Sequence, residues 1–199
     1  MKEKMFDSVV VGVLLGDASI QKNTSKTEEK WRLKFSQQVK HKDYVEHLHL
    51  LFKDYVKAKP FYDDKRKMVS FQTLFDSRFN EFAKMFINEQ GKKQVPKSLL
   101  TAKISPVTLA YWFMDDGGSN SYNPRRGILF NTHSFTRAEV EMLSESLNKH
   151  YNINSWVKLN KGKPVIAIKE AESRGFAEHF LPYMHKTMVY KLGFAERFC

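Results

Sequence analysis

Two apolar runs that each end in a carboxylate constrain this chain more than any other feature. The clearer one is Thr108-Leu-Ala-Tyr-Trp-Phe-Met-Asp-Asp-Gly-Gly-Ser119, and a weaker copy stands earlier at Val9-Val-Val-Gly-Val-Leu-Leu-Gly-Asp-Ala18. Neither run has a polar stripe, so each is expected to be a buried helix rather than a surface one. Both are too short to cross a membrane. Pro106 suits a first helical turn, and Gly117 with Gly118 suits a helix end. Asp17 and Asp116 then fall at or just past helix C-termini. A carboxylate there faces the negative end of the helix dipole, at a cost of up to about 1 kcal/mol. A positive partner is expected, and a divalent cation is the obvious one.

For one copy alone, an Asp-Gly turn accounts for the pattern. Two copies point further. Gly12, Gly16 and Ala110 are small enough to let two helices approach closely, which would bring Asp17 and Asp116 together. Paired carboxylates suit metal-assisted phosphodiester chemistry, in which cations stabilise the attacking and leaving oxygens.

The surrounding sequence repeats one order of elements. After Asp17, a strand is expected over Ala18–Lys22, then a polar loop over Asn23–Lys30 and a strand over Trp31–Val39. In that strand Trp31, Leu33 and Phe35 alternate with Arg32, Lys34 and Ser36, giving one apolar and one basic or polar face. Such a polar face either lies in a DNA major groove, where long side chains reach base edges, or is simply solvated. A helix over Lys42–Val56 would bury Tyr44, Leu48, Leu51 and Tyr55. Strands over Lys57–Tyr62 and Met68–Leu74 follow, joined by the polar tip Asp63-Asp-Lys-Arg-Lys67. Asp76 is placed to cap a helix whose Phe79, Phe82 and Phe86 form a core stripe. His41, His47 and His49 do not read as metal ligands, since His47 and His49 point to different sides of a helix and no cysteine joins them.

Gln90–Ser98, basic and broken by Gly91 and Pro96, reads as the link between halves 1–103 and 104–199. The order then recurs. A strand is expected over Gly127–Phe135, in which Ile128 and Phe130 alternate with Asn131 and His133. Thr136-Arg-Ala-Glu139 fits a capping box, with Val140, Leu143, Leu147 and Tyr151 on the buried face that follows. Asn154–Leu159 and Lys163–Ile168 form a hairpin turning at Lys161-Gly162. A helix over Ala171–His185 would bury Phe176, Phe180 and Met184, with Pro182 ending or bending it. Each half also supplies a lysine at nearly the same distance from its carboxylate: Lys93 lies 76 residues after Asp17, and Lys191 lies 75 after Asp116.

Composition agrees with a compact basic protein, either one that binds nucleic acid or one that is merely soluble. Lys and Arg number 33 against 22 Asp and Glu, a net charge of +11, which favours a polyanion. With 42% hydrophobic residues the 199-residue chain can build a sizeable core. No basic amphipathic helix stands alone to favour a membrane surface. Cys199 is the sole cysteine, so neither an intramolecular disulfide nor a cysteine zinc cluster can form. Met1–Met5 shows neither a secretory signal nor a transit-peptide pattern.

Val10–Ala18 and Leu109–Gly117 resemble the two motifs of the monomeric LAGLIDADG homing endonucleases, the first departing from the motif by Ala18 in place of its final glycine. The resemblance extends to Lys93-Gln-Val-Pro96, Leu129-Phe-Asn-Thr-His-Ser-Phe-Thr136, Asn160-Lys-Gly-Lys-Pro164 and Met188-Val-Tyr-Lys-Leu192, and is greatest to enzymes of the mitochondrial omega-intron type. It implies an α+β fold of two pseudo-symmetric αββαββα halves, with motif helices at the central interface and antiparallel sheets forming a DNA-binding saddle. It also implies Mg²⁺-dependent cutting of both strands of a long asymmetric duplex by a monomer, leaving short 3′ overhangs, with Mn²⁺ able to substitute. Asp17 and Asp116 match the metal-binding carboxylates, with Gly16 and Asp115 as further candidates at the metal. Lys93 and Lys191 match the active-site lysines. Arg32, Lys34, Ser36, Gln38, Gln72, Asn131, His133 and Lys158 are the candidate DNA contacts. Intron RNA is a second partner implied by the family's maturases, and organellar residence is implied in the same way.

Overall fold

The computed structural model describes residues 3–24, 28–119 and 127–194. Cys199 and residues 25–27 of the expected Asn23–Lys30 loop lie outside them. The elements run α1 (Glu3–Leu15), β1 (Ser19–Lys22), β2 (Trp31–Gln38), α2 (Lys42–Leu51), β3 (Phe61–Asp63), β4 (Met68–Gln72) and α3 (Asn80–Phe86). A short α4 (Ser98–Thr101) leads to α5 (Pro106–Asp116), β5 (Gly117–Ser119), β6 (Ile128–Asn131), α6 (Arg137–Tyr151), β7 (Ser155–Asn160), β8 (Lys163–Ile168) and α7 (Glu170–Glu178). The αββαββα order therefore occurs twice. By their contacts the residues group into two compact units, 17–84 and 1–16 with 85–199.

The unit of residues 17–84 is built on an antiparallel sheet in the order β1-β2-β4-β3. Alternation in β2 divides its faces as its sequence requires: Leu33 and Phe35 are buried, while Lys34, Ser36 and Gln38 are exposed. The apolar face packs on α2, where Phe35 stacks on Phe71 with centroids 4.4 Å apart and meets Phe52 at 5.0 Å. α2 is shorter than its apolar pattern predicts. It ends at Leu51 and tightens into a 3₁₀ turn over Lys53–Tyr55. That change of pitch turns Phe52 inward, so Tyr44, Val45, Leu48 and Phe52 are fully buried, and Leu51 and Tyr55 only half so. Asp76 caps the turn before α3 by accepting from the Arg78 amide at 2.7 Å, and Phe79 and Phe82 are buried.

In the other unit, α1 packs against α5. Ser105 caps α5 by accepting from the Thr108 amide, with Pro106 in the first turn. All of Thr108–Asp115 is buried, which is why no polar stripe exists in that run. The second sheet has the order β5-β6-β8-β7. Its apolar face meets an aromatic cluster in which Trp112 and Phe113 lie 4.3 and 5.3 Å from Phe130, and Phe113 lies 5.3 Å from Phe180. The Thr136–Glu139 capping box is formed, and the β7–β8 hairpin turns through Lys161 and Gly162, both at positive φ.

Other boundaries also differ from expectation. The strand expected over Lys57–Tyr62 begins only at Phe61 and runs on to Asp63. β6 ends at Asn131, so His133 sits in an exposed turn and not on the strand. α7 stops at Glu178, followed by a 3₁₀ turn over Leu181–Tyr183. Pro182 explains the stop, because its ring would clash with the carbonyl four residues earlier, that of Glu178 itself. Phe176 and Phe180 are buried as expected, but Met184, already past the helix, is only half-buried. Among the described residues no helix is long and apolar enough to cross a membrane.

The α1–α5 contact depends on glycine. A β-carbon on Gly12 would stand 2.7 Å from the Thr108 carbonyl oxygen and 2.8 Å from the Tyr111 β-carbon, distances no real side chain tolerates. Gly12→Ala should therefore destabilise the fold by about 1–3 kcal/mol through overpacking, and Gly12→Val by more. A urea midpoint equal to the parent's would show that the helices separate at no cost. A second prediction concerns Tyr151, whose hydroxyl donates to the Ile104 carbonyl at 2.5 Å. Burial pushes this phenol from 10.0 up to about 12. Its contribution to stability is then complete below pH 10 and lost as pH rises towards 12. Burial also raises Tyr111 and Tyr190, so ultraviolet titration of Tyr151→Phe should show one fewer late-forming tyrosinate than the parent, and an unchanged late amplitude would contradict the assignment.

Candidate active site and nucleic-acid interface

The end of α1 meets the end of α5 through a second glycine. A β-carbon on Gly16 would lie 2.4 Å from the Asp115 β-carbon and 2.6 Å from its Oδ2. Asp115 is correspondingly buried, at 8% exposure, with its carboxylate turned against this backbone. Each helix then hands over to the next carboxylate in sequence. Asp116 is the last residue of α5 and is half-buried; Asp17 follows Gly16 and is exposed.

The two lysines singled out by spacing reach these helix ends. Lys93 Nζ donates to the Gly16 carbonyl at 2.7 Å, and Lys191 Nζ donates to the Met114 and Asp115 carbonyls at 2.5 and 2.6 Å. Carbonyls in the last helical turn lack intrahelical donors and carry the negative end of the dipole. An ammonium satisfies both needs. The positive partner expected at each helix end is thus supplied in part by a lysine, where the sequence pointed first to a divalent cation. Lys93 is held by a bridge to Ile87 and sits 5.7 Å from the centre of the Phe135 ring. Lys191 belongs to a 3₁₀ segment, Lys186–Leu192, anchored by buried Met188 and Leu192 and closed by Gly193 in the left-handed region.

Both aspartates have amide neighbours, one at its carboxylate and the other at its main-chain oxygen. Gln37 Nε2 donates to Asp17 Oδ2 at 2.6 Å, and Asn131 Nδ2 donates to the Asp116 carbonyl at 2.9 Å. Gln37 escaped the sequence reading, although a signal was present: it is the one polar residue in phase with Trp31, Leu33 and Phe35. The strand register, which sequence does not reveal, explains it. Ser19 pairs with Lys34, so the chain just before β1 runs alongside the end of β2 where Gln37 stands.

Each helix end offers oxygen donors: the Gly16 carbonyl followed by the Asp17 carboxylate, and the Asp115 carbonyl followed by the Asp116 carboxylate. Such donors fit a hard divalent cation. Among the described residues no cluster of three His, Cys, Asp or Glu side chains forms a cage, so most of a cation's remaining ligands would be water or phosphate oxygen.

The candidate DNA contacts distribute over two sheet faces. Arg32, Lys34, Ser36 and Gln38 share the outer face of β2, and Gln72 of β4 pairs directly with Lys34. Ser70, opposite Ser36, and Phe61, 67% exposed and opposite Ser70, extend that face beyond the residues expected. The Arg32 guanidinium is ordered by the Gln21 amide oxygen and lies over the Phe75 ring at 4.5 Å. In the second sheet Asn131 and Lys158 both pair with Val165 and so lie on one face. That face is more apolar than the first, with Leu129, Ala167 and the 40%-exposed Trp156 in the adjoining row. His133 lies off the strand.

Comparison with known proteins agrees with this architecture. Residues 7–176 match the LAGLIDADG DNA endonuclease family. The chain is 34% identical over 201 residues to the probable intron-encoded endonuclease 1 of Wickerhamomyces canadensis, covering 96% of this chain and 85% of the relative. It is 30% identical to the cytochrome b mRNA maturase bI2 of Debaryomyces hansenii, over 96% and 74% of the two chains. Among solved structures, the homing endonuclease I-WcaI bound to its DNA recognition sequence superposes with a TM-score of 0.84 at 30% identity, over 96% of this chain and 86% of that one. I-DmoI, in complex with DNA and Mn, shares the fold with a TM-score of 0.61 at 15% identity, over 89% and 96%. With its paired motif helices, its doubled αββαββα order and these likenesses, the chain belongs to the LAGLIDADG DNA endonuclease family.

Proposed function

We propose that this protein is a site-specific homing endonuclease that cuts both strands of a long asymmetric DNA target as a monomer. The observation that carries the proposal is the doubled arrangement at the motif helix ends, where a lysine ammonium is bonded to the last carbonyls and an aspartate follows. The relatives named as endonucleases, and the I-WcaI structure with its recognition sequence, support the same substrate.

At each helix end the carboxylate, Asp17 or Asp116, with the main-chain oxygen before it, that of Gly16 or Asp115, would hold a divalent cation, for which we propose Mg²⁺ with Mn²⁺ as a substitute; I-DmoI structures with Mn and with Ca support a divalent ion. A cation bound there supplies positive charge to the scissile phosphates and acidifies water. The protein's own groups do the rest. Lys93 and Lys191 each present an ammonium to one scissile phosphate, where it stabilises the charge that builds on the phosphoryl oxygens. Gln37 fixes the rotation of the Asp17 carboxylate. Lys34, Ser36, Gln38 and Gln72 read base edges in the major groove, with Arg32 and Lys158 adding positive charge against the duplex. His133, from its turn, is proposed to contact the backbone. Because the two sheets present different side chains, the two half-sites must differ in sequence.

Intron RNA remains a second partner, favoured by the maturase relative. An intron-borne gene and an organellar compartment belong to the same proposal, supported by relatives named for introns and for cytochrome b mRNA.

Asp17→Asn and Asp116→Asn should each lower the cleavage rate by roughly 10²–10³-fold or more. Binding measured in Ca²⁺ should survive, with log affinity falling linearly as log salt rises. Cleavage within a factor of a few of the parent's would remove these carboxylates from the mechanism. Lys93→Met and Lys191→Met should each slow a different strand, so that nicked plasmid accumulates. Equal slowing of both strands by either variant would show that the lysines do not divide the two phosphates between them.

A further inference from the structure

The capping box of α6 does more than begin a helix. Glu139 Oε2 accepts from the Thr136 amide at 2.7 Å and from the Thr136 hydroxyl at 2.6 Å, which completes the box. Its other oxygen, Oε1, turns away from the helix and accepts from the Val95 amide at 2.8 Å. Val95 is buried, and it stands two residues after Lys93. We propose that Glu139 is a positioning residue for Lys93, fastening the segment that aims this ammonium at the end of α1. The proposal rests on the active-site role given to Lys93 above.

The physical case is one of divided capacity. A capping box consumes one carboxylate oxygen and leaves the second for another donor. An amide bonded to a carboxylate is held more firmly than one bonded to a neutral acceptor. Around Lys93 some ties come from the preceding chain: the Gln94 amide donates to the Phe86 carbonyl at 2.7 Å, and Lys93 bridges Ile87. The opposite side is supplied by the Phe135–Glu139 stretch, through the Phe135 ring near Nζ and the Glu139 carboxylate on Val95. Removing Glu139 leaves a buried amide donor unpaired and frees one side of the Lys93 segment. Lys191 is held by different means, its own 3₁₀ turn and the carbonyls of α5. Loss of Glu139 should therefore act on one strand and spare the other.

The test is a time course on supercoiled plasmid carrying a target recovered by selection from random duplexes, with end-labelling to identify the strand cut. Parent, Glu139→Ala, Glu139→Gln, Thr136→Ala and Lys93→Met proteins would be compared, each with a melting temperature. Glu139→Ala should slow one strand by about 10–100-fold, the size of effect when an orienting partner is lost. That strand should be the one slowed by Lys93→Met, and nicked plasmid should accumulate. Glu139→Gln should fall between, because its single carbonyl oxygen can serve Thr136 or Val95 but not both. This variant carries the test if Glu139→Ala does not fold. Thr136→Ala weakens the cap while keeping the bond to Val95, so it should lower the melting temperature without changing the ratio of nicked to linear product. Equal slowing of both strands by the Glu139 variants, or the same nicking from Thr136→Ala, would reduce Glu139 to a helix cap and overturn the proposal. Parent-like cleavage by Lys93→Met would instead overturn the role of Lys93, whatever Glu139 does, and this proposal with it.

Discussion

The close approach of α1 to α5 is the constraint on which the site depends. It is made possible by the missing side chains of Gly12 and Gly16, and it is sealed by hydrogen bonds such as that from the Thr108 hydroxyl to the Ser8 carbonyl at 3.0 Å. Two helices ending together concentrate unsatisfied carbonyls and the negative ends of two dipoles in one place. A globular protein gains nothing in stability by adding aspartates there. The fold answers that electrostatic problem with two lysines brought from distant parts of the chain, Lys93 and Lys191, each bonded to helix-end carbonyls. A site that concentrates negative charge and then surrounds it with ammonium groups is suited to a cation and a phosphate arriving together.

This electrostatic logic also separates roles within Asp115-Asp116. Asp115 is buried against Gly16 and lends its carbonyl to Lys191, whereas Asp116 ends the helix with its side chain half exposed. Two adjacent carboxylates of identical chemistry thus differ entirely in surroundings. In the same way the two sheets share a topology but not a surface. The outer face of β2 and β4 is polar, while β7 and β8 present Trp156 over an Ala167 that is 2% exposed. Each sheet thus offers its own chemistry, hydrogen-bonding groups on the first and apolar groups on the second.

Most of the architecture could be read from periodicity. Leu33 and Phe35 buried against Lys34 and Ser36 exposed, the Thr136–Glu139 cap and the Lys161-Gly162 turn all follow from local rules that tertiary structure did not override. The helix errors lie where local pitch changed, while β3 and β6 are shorter than their alternating patterns suggested. α2 tightened into a 3₁₀ turn and buried Phe52, and α7 stopped one proline ring's reach before Pro182. The site was legible in its residue types but not in its bonds. Gln37 on Asp17 and Glu139 on Val95 both depend on a register or a long-range contact, the latter spanning 44 residues, that no window of sequence contains. Polar residues in an apolar phase, such as Gln37, were the available clue.

The central claim is that this chain cuts DNA at one long site using the carboxylates of its paired motifs. The most direct measurement is incubation of the purified protein with a randomised duplex library in Mg²⁺ and, separately, in Ca²⁺, followed by sequencing of bound molecules and of cut ends. The account predicts one long asymmetric sequence enriched in both, with both strands cut in Mg²⁺ to leave short 3′ overhangs and binding without cutting in Ca²⁺. Specific binding with no cutting in Mg²⁺, or cuts scattered without a shared sequence, would contradict it.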